Sequence, residues 1–176
     1  NNQLNERMKK LEELLKLLDK DKLFEQLKQV EQDNDLMEKD LDRMVEMMKQ
    51  LERDMRMEDI AKKAEALAKK QEELKKQTEN KELSSEELKK KQDALNKEMQ
   101  ELKKDMEELQ KLNDSMENKK DLGDMKKDEK DAEQNMENSS NELQSGNNSK
   151  ASKSQKKAQE SLEKLAQKMK DSAAGS

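Results

Sequence analysis

Leu23, Leu27, Val30, Asn34, Met37, Leu41, Met44, Met48, Leu51 and Met55 follow one another at alternating intervals of four and three, and nine of these ten residues are apolar. That rhythm is a heptad stripe on one side of a helix. It constrains the chain more than any other feature, because there is little else to bury. Hydrophobic residues make up 29% of the sequence and charged residues 46%, against roughly 45–50% and about 25% in an average globular domain. Such a chain cannot fill a thick core, but it can cover a narrow seam with another helix.

The rhythm recurs. Leu4, Met8, Leu11, Leu15 and Leu18 form one run, and Ile60, Ala64, Leu67, Gln71, Leu74 and Thr78 another. Leu88, Gln92, Leu95, Met99, Leu102, Met106, Leu109, Asn113 and Met116 form a third; Met125, Ala132, Met136 and Leu143 a weaker one; and Ala158, Leu162, Leu165 and Met169 the last. The runs break at Leu18–Leu23 and Met55–Ile60, both steps of five. A coiled coil absorbs insertions of three or four residues, so a slip of another size predicts a turn. At the first break Asp19 is a candidate N-cap.

In ELSSEELKKK, Ser84 as N-cap places Glu87 at N3, and Leu83 and Leu88 at the staple positions. The heptad phase nevertheless runs unbroken from Ile60 to Met116 if Lys81 and Ser85 are polar seam positions. Both a single helix and a turn near Asn80–Leu83 are therefore open, and the capping box favours the turn. Gly123 can end a helix and Asp124 start one, and SSNELQSGNNSKAS reads as a joint with Ser149 as a candidate cap.

With no proline, two valines and one isoleucine, the chain offers little to a sheet. The expected fold is all-α: an elongated antiparallel helical bundle or coiled coil of about six helices, near 3–18, 20–56, 58–80, 85–121, 124–144 and 149–172. Residues 1–144 would form the helical hairpin bundle, 145–150 a flexible joint, and 151–176 a C-terminal helix and tail.

Two groups of residues are candidates for specificity. Asn34, Gln71, Gln92 and Asn113 are polar at seam positions, where a buried amide can fix register and partner number. Met44, Met47, Met48, Met55 and Met57 crowd MVEMMKQLERDMRMED. Thioethers suit Cu(I). However, the 13 methionines are spread along the chain and mostly share seam positions with leucine, which points to packing or a partner surface. Met44, Met48 and Met55 lie on the seam, Met47 beside it, and Met57 out of phase.

The residue types exclude much chemistry. There is no histidine, cysteine, tyrosine or tryptophan, so acid–base work would rest on Asp, Glu or Lys, and no motif marks a catalytic, cofactor or metal site. The 38 basic and 43 acidic residues are well mixed. They give neither a basic field nor stacking groups for nucleic acid. No run approaches the roughly 20 apolar residues of a membrane span. Protein partners or self-association are expected, without a small-molecule substrate and without membrane insertion by this segment.

KKAEALAKKQEELKKQTEN, ELSSEELKKKQDALNKEMQELKKDMEELQKLN and ASKSQKKAQESLEKLAQKM together resemble the C-terminal helical portion of a family of very large, uncharacterised Bacteroidetes envelope proteins, over about Leu23 to Met169. The resemblance implies N-terminal membrane helices elsewhere in the parent and a long extracytoplasmic coiled-coil region. It implies that this chain, which begins NNQLN, is an excised piece with a periplasmic home. It transfers no functional residues. The expected function is a non-enzymatic scaffold, spacer or docking surface of a larger envelope assembly. The alternatives are a chaperone-like or transport accessory gripping clients through Met-rich surfaces, and a homo-oligomerising coiled coil.

Overall fold

The computed structural model describes Lys9 and residues 34–175, with backbone alone for 34–37. The described residues form four long helices and no strand: α1 (Asn34–Asn80), α2 (Ser85–Asp114), α3 (Gly123–Gln144) and α4 (Asn148–Ala174). Each packs against its neighbours in sequence, and α4 closes the ring against α1. Cross-links show that every adjacent pair is antiparallel. Lys63–Asp105 and Lys70–Glu98, each 2.7 Å, join α1 to α2. Gln100–Glu133 joins α2 to α3, Lys168–Asp128 joins α3 to α4, and Lys170–Glu65 and Ser152–Glu79 join α4 to α1.

Among the described residues four helices stand where five of the six expected ones fall. The helix expected at 3–18, the break at Leu18–Leu23 and the Asp19 cap lie outside the described residues. The turn expected at Met55–Ile60 does not exist, because α1 runs through it unbroken. The reason is Met57, which is 0% exposed. Arg53, Met57, Ile60, Ala64, Leu67 and Gln71 are spaced four, three, four, three and four apart. The bundle-facing stripe therefore starts inside the earlier run, on a different face of the same helix. A step of five between two stripes marks a change of partner, not a turn of the chain.

The turn near Asn80–Leu83 is present. Lys81 adopts φ 54, and the Ser84 hydroxyl accepts the Glu87 amide at 3.2 Å. Glu86 and Glu87 in the first turn of α2 complement the helix dipole. At the other end α2 stops at Asp114, seven residues before the expected boundary, and Ser115–Leu122 form an irregular connection. Gly123 starts α3 rather than ending a helix, and Asn147, not Ser149, caps α4 by accepting the Lys150 amide.

Alanine shapes the ring. Ala61, Ala64 and Ala68 on α1, and Ala151, Ala158 and Ala166 on α4, are buried. Small side chains let two backbones approach closely, and α1–α4 is the most extensive helix pair. The buried apolar residues fall into two clusters. The larger runs from Met57 to Ala68 on α1 and from Ala158 to Met169 on α4, with Met99, Leu102 and Leu109 from α2. The smaller contains Leu74, Leu88, Leu143 and Ala151. Amides lie between them.

Candidate functional site

The first feature is a polar layer across the bundle. Gln71 of α1 and Gln92 of α2 are both 0% exposed, and each donates to the other, at 2.9 and 2.8 Å. Gln155 of α4 donates to Gln92 Oε1 at 3.1 Å, and Gln92 donates to Asn96 at 3.0 Å. Asn96 in turn donates to the Ser140 hydroxyl and the Met136 carbonyl of α3. Four helices thus meet through one network. Buried amides are costly unless bonded, so the network favours a single axial alignment. The sequence marked Gln71 and Gln92. Gln155 and Asn96 carried the same signal only in their neighbours: Gln155 lies three residues before the seam residue Ala158, and Asn96 four after Gln92.

The second feature is a clasp at the opposite end. Asn113, 2% exposed, takes the Lys120 amide on its Oδ1 at 2.9 Å and gives its Nδ2 to the Lys120 carbonyl at 2.8 Å. The same Oδ1 accepts Arg53 Nη1 at 2.8 Å, and that nitrogen also reaches the Asn118 carbonyl. Arg53 is 3% exposed. Lys49 donates to the Ser115 carbonyl, Glu46 accepts the Glu117 amide, and Lys120 Nζ reaches the Ser172 carbonyl of α4. Asn113 therefore acts on the connection between α2 and α3. The side chain of Asn34, the remaining amide candidate, lies outside the described residues.

The third feature is the methionine-rich stretch, which the structure divides. Met57 belongs to the core. Met48 and Met55 are half-buried. Met44, Met47 and Leu51 are 48, 62 and 54% exposed, the large apolar side chains most open to solvent. Their spacing of three and four places them on one helix face. They lie N-terminal to Arg53, where α1 outruns the last residue of α2.

The fourth feature was not visible in the sequence. Glu129 of α3 is 4% exposed, and its Oε1 is buried without a hydrogen-bond partner. Burial, then the adjoining Glu133 carboxylate, push it up to about 7, against the pull of Lys103 and Lys130. Glu133 moves the other way. Burial works to raise it, but hydrogen bonds from Gln100 and Lys103 outweigh that and lower it. Of the pair, Glu129 is the carboxyl that its surroundings push toward the protonated form. Glutamates at i,i+4 are common in a chain with 43 acids, so nothing in the sequence singled out this pair.

Among the described residues no group of three acidic, histidine or cysteine side chains could hold a metal ion, and no helix is long and apolar enough to cross a membrane. No family model, no curated protein and no solved structure matches the chain.

Proposed function

We propose that this chain is a non-enzymatic interaction module, a scaffold or docking surface within a larger protein, and that its partner is a helix laid along Met44, Met47 and Leu51. The single observation that carries the reading is this exposed apolar face, on a helix otherwise anchored through Glu46, Lys49 and Arg53. Methionine suits such a surface because its unbranched thioether adapts to the partner's shape. The four antiparallel helices then serve as a stiff spacer with coiled-coil character. The absence of histidine, cysteine and tyrosine supports a role without catalysis. The sequence resemblance supports an envelope protein as parent and a periplasmic setting.

The test is cross-linking in the full-length parent. A photoreactive residue at position 47 should give a defined protein adduct, lost in Met44→Glu/Leu51→Glu. A residue at exposed position 104, on the side of α2, should give none. Equal adducts from both positions would overturn the reading. The second reading, self-association, rests on the same exposed face. Small-angle scattering on an absolute scale decides it, because a dimeric mass that Met47→Glu returns to monomer makes the partner a second copy.

A further inference from the structure

A groove of about 330 Å³ runs between α2 and α3. Met106, Leu109 and Leu122 line it, Glu129 lies at one end, and Lys126 and Lys130 stand on its rim. From Lys103 to Lys111 its α2 wall covers nine residues, eight steps of helix or about 12 Å, close to the length of an extended chain of about ten carbons. The volume falls at the lower end of the range for small-molecule sites, roughly 300–1,000 Å³.

We propose that this groove binds an aliphatic carboxylate, its chain lying on Met106, Leu109 and Leu122 and its head group held between Glu129 and the ammonium groups of Lys126 and Lys130. Three observations converge on that chemistry. The lining is apolar, which suits a hydrocarbon chain. Lys126 and Lys130 are exposed and form no ion pair among the described residues, whereas Lys103 is engaged by Glu133 at 3.3 Å. Glu129 Oε1 is a buried polar atom with no partner, and the side chain is 96% buried against its groove. Held toward its neutral form, Glu129 adds little negative charge beside the ligand's carboxylate, whose partners are the ammonium groups of Lys126 and Lys130. The ligand is a bound guest, and no reaction is implied.

The charged surroundings of Glu129 set the expected pH response. From α3 it faces Glu133, Lys130 and Lys126, and from α2 it faces Lys103 and Glu107. On α4, Lys168 is occupied by Asp128, the residue before Glu129, at 2.7 Å. Because Glu129 is pushed up to about 7, lowering the pH removes a negative charge from the head-group site. Binding of an anion should tighten as pH falls.

The experiment titrates the protein with decanoate below its micelle concentration, following methionine methyl signals by NMR, with Met106 assigned through Met106→Leu. The expected result is a saturable shift of Met106, without a shift of Met44 or Met47, severalfold tighter at pH 6 than at pH 8. Lys126→Gln/Lys130→Gln, both on the surface, should weaken binding about tenfold. Glu129→Gln is neutral at every pH, so its affinity should be high and equal at pH 6 and pH 8. Decylammonium binding more tightly than decanoate would overturn the proposal in favour of an amine on an ionised Glu129. Equal binding of decanol would reduce the site to a bare apolar groove, and no saturable shift would remove it.

Discussion

The carboxamides of Gln71 and Gln92 bond each other in both directions at the centre of the bundle, where neither side chain meets solvent. The pair closes an amide ring between α1 and α2, and Gln155 of α4 attaches to it. Gln71→Leu leaves one N–H of Gln92 buried without a partner, while its other N–H keeps Asn96 and its Oε1 keeps Gln155. The expected loss is roughly 1–3 kcal/mol in denaturant melts followed by circular dichroism. Changing Gln71, Gln92 and Gln155 together to leucine should recover much of that stability. It should also multiply amide NMR peaks, as helices slide past one another without a fixed alignment.

Asn113 ties the Ser115–Leu122 connection to α1 through Lys120 and Arg53. Asn113→Ala removes both side-chain bonds to Lys120 and one of the two partners of Arg53 Nη1, which keeps only the Asn118 carbonyl. It should cost roughly 2–4 kcal/mol and speed hydrogen exchange across 115–122 before it affects α4. Uniform exchange across all four helices would mean that the clasp has no local role.

Glu129 gives the stability curve a defined slope. Its folded pKa of about 7 lies above the ordinary 4.5, so the native state binds the extra proton. Its contribution is full below about pH 4.5 and is lost as pH rises to about 7. The shift is worth on the order of 3 kcal/mol. Glu129→Gln mimics the neutral acid at every pH. It should melt higher than the parent at pH 8 and close to it at pH 4.5. A parallel pair of curves would show that the carboxyl is solvated.

Within one methionine-rich stretch, two residues should behave oppositely. Met57→Ala opens a cavity in the packed core and should cost about 2–5 kcal/mol. Met47→Lys changes an exposed position and should stay within about 0.5 kcal/mol. Thermal melts of the two variants check both.

Lys81 carries a positive φ that an L side chain adopts only with strain. Lys81→Gly should therefore raise stability by about 0.5–1 kcal/mol. Ser84→Ala should lower it by about 1 kcal/mol through loss of the cap. Combining the two should leave the melting temperature near that of the parent.

Helix type and the turn at Ser84 were legible because both depend on short-range chemistry: heptad spacing, a capping box and a staple. The end of α2 was not, because Asn113 and Arg53 close it from opposite helices 60 positions apart. The sequence placed the core face of α1 from Ile60 to Thr78 but missed its extension back through Met57 to Arg53. Two apolar stripes share that helix, and spacing alone cannot say which one faces α2 and α4. Met57 looked out of phase only with respect to the wrong stripe. Glu129 was invisible because its distinction is its surroundings: Met106, Leu109 and Lys103 come from another helix.

Because α1 continues without a break from the exposed face into the bundle, it works as a lever. From Met47 to Gln71 is 24 residues, about 36 Å of rigid rod. A partner that grips Met47 sets the bearing of everything beyond it. An axial slip of one turn at the amide layer would have to break the bonds of Gln71 to Gln92 along with the hydrocarbon contacts on either side, so the polar layer would act as the ratchet tooth of this shaft.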